Sequence, residues 1–402
     1  MKVLVIGGGA SGMMAALTAA QNPDNRVTLL ERHARVGRKL LATGNGRCNL
    51  TNQNLTLENY HGKDPSFILP ALKERSVEQT LAFFRSLGLV TVTEENGKVY
   101  PLSDQAGSVV DVLRFALDAA GVDVVCSCDV IEVKKKARGY QASAATGETY
   151  FADKLIIAAG GCAGKKLGGT HAGYRLLGML GHSCTDLCPS LVQIKTDPTY
   201  VRSLKGVRAD ACMTLKSGGH AVAQTVGEVQ FTEFGVSGPI TFELSRAAST
   251  GGEGQTLLLD LFRCGSREEL LELLQEKTAH FAALETEELL TGILQTRLGK
   301  TIIRRAGLDA QKPLGALTQD DLMKVVSLVK CFALDIIGVM GMDHAQVTAG
   351  GVPTSEFRAD TLESRLAPNV YATGEVLDID GDCGGYNLQW AWSSGHLAGL
   401  LK

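Results

Sequence analysis

No run of apolar residues in this chain approaches the roughly 18 that a bilayer-spanning helix needs, so a transmembrane segment is excluded. The short N-terminal apolar run is broken by glycines at 7, 8 and 9, which leaves no signal-peptide pattern, and the expected location is the cytoplasm. Excess charge of one sign is also missing. Lys and Arg total 40 against 43 Asp and Glu, a formal net charge of −3, and the only basic run is Lys134 to Lys136. That balance offers no electrostatic footprint for nucleic acid or an anionic membrane, so neither is expected as a partner. The 10 cysteines include no C-x-x-C, and neither Cys126 with Cys128 nor Cys184 with Cys188 has His or Cys partners at zinc spacing. No metal site is expected, and the cysteines read as small buried hydrophobes in a reducing compartment. Internal repeats and low-complexity segments are absent. What is present is 402 residues, 45% hydrophobic and 21% charged, enough for two or three ordinary globular domains.

The most informative stretch is 3–31. An apolar run, Val3 to Ile6, breaks at Gly7, and Gly7, Gly9 and Gly12 fall in the order G-x-G-x-x-G, with Ala10 and Ser11 opening a helical pattern. The three glycines serve different ends. Gly7 permits the tight strand-to-helix turn, Gly9 lets the backbone approach a pyrophosphate, and Gly12 lets helix pack close to strand. A second apolar run, Val27 to Leu30, is closed by Glu31, placed to accept hydrogen bonds from a ribose 2′-OH. A dinucleotide without a 2′-phosphate is expected; FAD and NAD remain open at this point.

Residues 33–52, HARVGRKLLATGNGRCNLTN, are too polar and glycine-rich for a regular element, and they carry Arg35, Arg38, Lys39 and Arg47. Following a dinucleotide unit, such a loop would bring cations to phosphates and backbone N–H groups to a ring edge. Two amphipathic helices are expected over 65–87, short strands near 97–100, a helix over 109–120, strands over 122–133 and 140–150, and a strand over 154–159 ending in Gly160-Gly161. From about 190 the texture becomes alternating strands (191–195, 206–216, 219–224, 226–231, 256–262), and 266–337 reads as helical. The tail returns to short strands ending in glycine, then a glycine-dense loop at 381–385 and a final helix from Tyr386. The fold class expected is α/β, Rossmann-like, with an inserted antiparallel, barrel-like β plus helical domain. Its parts are residues 1–190, an insertion at 191–345 (β about 191–262, helical about 266–337), and 346–402.

In several long motifs the chain resembles the BaiN/YhiN-like flavoproteins, FAD-dependent oxidoreductases of the glutathione-reductase-like superfamily. The resemblance rests on GRKLLATGNGRCNLTN at 37–52, KVYPLSDQAGSVVDVL at 98–113, EFGVSGPIT at 233–241, VTAGGVPTSEF at 347–357 and YATGEVLDIDGDCGGYNLQWAWSSG at 371–395. Two places depart from the family pattern: Glu233, where His is frequent, and LGGTHAGY at 167–174, where GSTGDGY is usual. The resemblance implies FAD. Gly7, Gly9, Ala10, Ser11 and Gly12 would hold the pyrophosphate, Glu31 and Arg32 would sit at the ribose, and the Val130 backbone at the adenine. Arg38, Lys39, Gly44, Gly46, Arg47, Cys48 and Asn49 would lie along the flavin. Ala159, Gly160, Gly161, Gly374, Glu375 and Asp378 would face the ribityl and phosphate side, and Gly385, Tyr386, Asn387 and Leu388 would cap the pyrimidine end.

The chemistry implied is NAD(P)H-driven reduction of a carbon-carbon double bond conjugated to a carbonyl, in an apolar, steroid-like small molecule. The acceptor then needs a proton source and donors at its carbonyl. Tyr386 and Arg47 are the catalytic candidates, with Glu233 and His171 behind them. No second strand-G-x-G-x-x-G-helix unit exists mid-chain, so pyridine nucleotide would bind transiently or another donor would serve; the inserted domain is expected to wall an apolar pocket. An oxygen-using amine or aminoketone oxidase, an RNA-modifying flavoprotein, disfavoured by the charge, and a non-catalytic flavin binder are the competing readings.

Overall fold

Val3, Leu4, Val5 and Ile6 are almost wholly buried, as a continuous apolar strand must be when both sheet faces are covered. In the computed structural model, which describes residues 1–402, the strand Lys2–Ile6 is the centre of a five-stranded parallel sheet. The order is Val370–Ala372, Lys154–Ile157, Lys2–Ile6, Arg26–Leu30, Asp123–Val125, with Val5 opposite both Ile156 and Leu29. The first helix, Ala10–Ala19, follows the central strand directly, and the last helix, Tyr386–Gly399, lies against it. Both are buried over most of their length, and small residues set their close approach: a Cβ at Gly395 or Gly399 would overlap Ser11 O or Ala15 O. The two helices Leu69–Glu74 and Val77–Ser86 and the helix Ala106–Ala119 complete this part.

The stretch 122–133 is not one strand. Asp123–Val125 joins the parallel sheet and Val130–Lys135 a three-stranded antiparallel one, because the chain turns between them with Ser127 at φ 57° and its N–H bonded to His33 O. Likewise 140–150 is a hairpin, Tyr140–Ala144 and Thr149–Ala152, turning through Gly147 at φ 93°. The polar loop after Glu31 holds a short 3-10 segment, Leu40–Gly46, distorted at Thr43, Gly44 and Asn45.

The chain divides into two compact units, one made of residues 1–188 and 346–402, the other of residues 189–345. The second unit is a closed antiparallel barrel with helices. Its strands run in the order Ile194–Thr196, Gly235–Ser237, His220–Phe231, Arg208–Ser217, Gln255–Asp260, Phe332–Val339, and the last closes on the first. Period-2 burial fills it with Ala211, Met213, Leu215, Leu257, Leu259 and Phe332. Three expectations change here. Residues 219–224 and 226–231 form a single strand that passes through Gly227 without a turn. The helices end at Lys330, so 332–339 is a strand and not the end of a helical region. The helix Pro239–Thr250, with Pro at its first turn after Gly238, had no counterpart in the periodicity.

Candidate active site

At the head of the first helix the chain makes a turn that tolerates no side chains. Gly7 has φ 112° and donates to Leu30 O at 2.8 Å, and a Cβ at Gly12 would overlap Gly7 O. Gly9, the N-cap, is different: a Cβ there meets nothing within 4 Å. The helix has no side-chain cap and no acidic residue in its first turn, so its free N–H groups and positive dipole end face open space. Such an uncapped helix head suits an anion. Ser11 is buried beside it, and a Cβ at Gly374, φ 76°, would press on Ser11 Oγ, which leaves Gly374 no room for a side chain.

Glu31 is 8% exposed, and its two carboxylate oxygens accept from Gly8 N and His33 N, both at 2.8 Å. Each oxygen keeps a lone pair for a hydroxyl. Cys128 N donates to Glu31 O, which brings the 127–130 turn, and with it Val130, alongside Glu31. Arg32 and Arg38 both turn to the His33 ring, at 3.2 and 3.0 Å, and Arg38 also donates to Lys166 O at 2.8 Å. Burial first, joined by these cations and opposed by the upward pull of Glu31, holds the His33 pKa below its usual value. Arg38 therefore spends on the protein donors that its place in the sequence assigns to phosphate.

The loop 40–49 runs through left-handed backbone at Gly44 (57°), Asn45 (56°), Gly46 (89°) and Cys48 (62°). Gly46 borders open space, whereas a Cβ at Gly44 would press on Asn49 N. Cys48 is fully buried, and burial pushes its thiol up to about 12. Asn49 Oδ1 is buried without a partner, close to Gly385. Arg47 lies flat on Tyr100, 3.9 Å from the ring centroid, and pairs with Asp104 and, at 3.1 Å, Glu94. Its charge is thus met by two carboxylates on the chain.

Gly160, at φ 68°, follows Ala159 after the strand Lys154–Ile157 and borders open space, but a Cβ at Gly161 would strike Glu375 Oε1 and Thr348 Oγ1. Glu375 is itself engaged, with Lys39 Nζ at 2.7 Å and Thr348 N at 2.9 Å. Asp378 is buried and accepts from Lys63 N at 3.3 Å. At the last helix Gly385 is an N-cap at φ 99° with no side-chain cap, and the first turn carries no acid. Asn387 folds its amide back onto Gly381 N and O at 2.8 and 2.7 Å, so its backbone N–H, with those of Tyr386 and Leu388, is what this end offers a ligand. The Tyr386 ring is 8% exposed, set edge-on to Tyr60, whose hydroxyl donates to Tyr386 O at 3.0 Å. His171 precedes the helix Ala172–Gly178 and makes no capping bond, its ring instead meeting Tyr174. Glu233 belongs to the barrel unit, where it is half-exposed and paired with Lys205 at 3.0 Å.

Two groups gave no sign of their roles in the sequence: the carboxylates Glu94 and Asp104, which pair with Arg47. Only three-dimensional neighbours reveal what they do. Open space at Gly9, Gly46 and Gly160, two uncapped helix heads and a buried unpartnered amide oxygen fit a long cofactor with an anionic middle and a polar heterocyclic end.

Residues 1–401 match the family described as HI0933-like protein Rossmann domain, and the chain belongs to that family. A 3-dehydro-bile acid delta(4,6)-reductase of Clostridium scindens is 38% identical over 402 residues, 99% of this chain and 98% of the relative. A ribosomal RNA dihydrouridine synthase of Escherichia coli is 29% identical, covering 97% and 95% of the two chains. Among solved structures, the 3-ketosteroid-delta4-(5alpha)-dehydrogenase of Rhodococcus jostii, bound to 4-androstene-3,17-dione, superposes with a TM-score of 0.51 at 15% identity over 99% of this chain and 95% of that one. The fold is the Rossmann-like FAD-binding fold expected, and the chain is an FAD-dependent oxidoreductase.

Proposed function

We propose that this chain uses NADH or NADPH to reduce a carbon-carbon double bond conjugated to a carbonyl in a small apolar, steroid-like substrate. The observation that carries the reading is 38% identity over 99% of the chain to a bile acid delta(4,6)-reductase, joined to a cradle whose open positions suit FAD. Bound FAD supplies the hydride chemistry. The chain's own residues do the rest. The N–H groups at the head of the first helix hold the pyrophosphate, Glu31 the adenosine ribose, and the Val130 backbone the adenine. Glycines 46 and 160 let the backbone lie close to the ribityl and ring, and the N–H groups of 386–388 donate to the pyrimidine edge, where the helix dipole favours negative charge. Tyr386 is the group proposed to hold the proton delivered to substrate, and Arg47, with Nη1 left over from its two carboxylates, the donor to a developing oxyanion.

The relative that acts on ribosomal RNA supports a second reading of the same chemistry, since dihydrouridine differs from uridine by two hydrogens across one such bond. One experiment separates them. The purified protein, its flavin identified, is mixed anaerobically with NADH or NADPH, and then with a 3-oxo-4,6-diene steroid acid, with unmodified ribosomal RNA, or with oxygen. Bleaching by nicotinamide and recovery on the steroid bear the proposal out. Recovery only on RNA transfers the assignment to the second reading, and recovery only on oxygen makes the protein an oxidase. With the steroid as acceptor, Tyr386→Phe is expected to slow turnover by about 100-fold or more with FAD retained.

A further inference from the structure

The basic run Lys134 to Lys136 has no place in the chemistry above, and the fold puts all three lysines in the lining of one cavity of about 380 Å³. The cavity lies within the unit formed by 1–188 and 346–402, and none of the residues assigned to FAD lines it. Its size falls in the range of about 300–1,000 Å³ that holds small-molecule ligands. Opposite walls come from Met179 and Leu180, which follow the helix Ala172–Gly178, and from Leu366.

These two walls are fixed to each other. The His182 side chain is wholly buried, with Nδ1 2.7 Å from Glu356 Oε2 and Nε2 2.9 Å from Ser364 Oγ. Ser364 Oγ accepts from the N–H groups of Leu366 and Ala367 at 3.0 and 2.8 Å, so its own proton goes to Nε2 and the Nδ1–H donates to Glu356. His182 N and Leu180 N both donate to Leu177 O, at 3.1 and 2.9 Å. One buried ring thus ties the Met179 wall to the Leu366 wall, and the space between them is kept by the fold.

Positive charge and apolar surface are both left over there. Lys134 pairs with Glu132 at 2.7 Å, but Lys135 and Lys136 form no ion pair. Glu363, the carboxylate that acts on Tyr140 in the cavity lining, is occupied by Asn369 N at 2.8 Å and Arg358 Nε at 3.9 Å. The Tyr140 hydroxyl donates to Pro368 O at 2.7 Å, so its proton is spent. Met179 and Leu366 are 46% and 51% exposed. Unpaired ammonium groups beside exposed apolar side chains complement a molecule with an anionic head and an apolar body: the head gains charge-assisted hydrogen bonds, and the body removes apolar area from water.

We infer that this cavity binds a small amphipathic carboxylate at a site separate from the flavin. Fatty acids and steroid acids share that chemistry. Calorimetric titration of the purified, flavin-containing protein with sodium decanoate and with sodium cholate, each below its micelle-forming concentration, tests the inference and separates the two sources. Acetate supplies the head alone, decylammonium an apolar body with the opposite charge, and hexaglutamate a peptide anion without one. One or both of the large carboxylates should bind about tenfold or more tighter than acetate and decylammonium, and the double variant Lys135→Gln, Lys136→Gln should weaken that binding about tenfold. Leu366→Ser should weaken it several-fold. Flavin content and melting temperature should stay at wild-type values in both variants, since all three side chains are exposed. Carboxylate binding that neither variant changes belongs to another site and overturns the inference. So does equal binding of decylammonium, or no carboxylate binding at all. Binding of hexaglutamate in place of both carboxylates would make the lysines a docking surface for acidic protein, and the inference falls in that case too.

Discussion

Gly9 and Gly12 stand three residues apart in one motif, yet the structure gives them opposite surroundings. A side chain at Gly12 collides with Gly7 O, whereas one at Gly9, φ −80°, meets only space. Gly12→Val is therefore expected to break the strand-helix junction, lowering both folded yield and flavin content. Gly9→Val should leave the melting temperature of the apoprotein within about 2 °C, since no contact or backbone strain is introduced, while weakening FAD at least tenfold. If Gly9→Val retains stoichiometric FAD, the pyrophosphate does not lie where we place it. Cys48 allows a second expectation. A thiol at about 12 is almost wholly protonated at pH 8, so native protein treated with iodoacetamide should be labelled at the exposed Cys184 and Cys264 and not at Cys48. Peptide mass spectrometry checks this, and rapid labelling of Cys48 would show the loop 40–49 to be open. At this scale the glycine motif was legible in sequence because its spacing is set by backbone sterics. The pairing of Lys39 with Glu375 was not, since nothing local connects residues that far apart.

The first and last helices show what an element can and cannot announce. Both are read from small and apolar residues followed by or following glycine, and their packing depends on those small residues. Gly395→Ala places a methyl group on Ser11 O, forcing the two helices apart at the head of the first helix. A loss of about 1–3 kcal/mol in urea denaturation is expected, together with weaker FAD binding; a variant with wild-type values for both would mean that the helices separate freely. The barrel strand Phe332–Val339 is illegible in sequence for a physical reason. Its eight residues follow a helix ending at Lys330 with no Gly or Pro between them, and a short apolar run does not distinguish a strand from a buried helix turn. What makes it a strand is its pairing with Gln255–Asp260 and Ile194–Thr196, both far away in sequence. The helix Pro239–Thr250 did carry a local signal, Gly238-Pro239 at its start, but Thr241, Ser245 and Ala248 on its buried face are small or polar and do not read as apolar positions.

Across the whole molecule, the flavin unit is closed by bonds between the two ends of the chain: Thr51 Oγ1 to Gln389 at 2.7 Å, Trp392 Nε1 to Leu50 O at 2.9 Å, and Lys154 Nζ to Leu401 O at 2.6 Å. The glycine-ended strands at 347–351 and 369–375 signalled this return, but the partners were invisible until folded. One such junction makes stability depend on pH. His396, on the last helix, accepts an Arg75 N–H at 2.9 Å on Nδ1, which also lies 3.0 Å from Thr18 Oγ1 of the first helix, a hydroxyl that donates to Met14 O. That nitrogen must accept, so the ring must be neutral. Burial, and then the Arg75 guanidinium, lower its pKa from 6.5 to about 4, against a smaller upward pull from Glu74 and with a further downward one from Lys402. In the unfolded chain His396 titrates near 6.5, so between about 4 and 6.5 the unfolded state binds more protons. This contribution is therefore fully present above pH 6.5 and is lost as the pH falls from there toward 4. Urea midpoints measured from pH 7.5 to 4.5 should fall for wild type and fall less for His396→Gln, which can still accept from Arg75 but does not titrate. Parallel curves for the two proteins would assign the acid sensitivity to other groups.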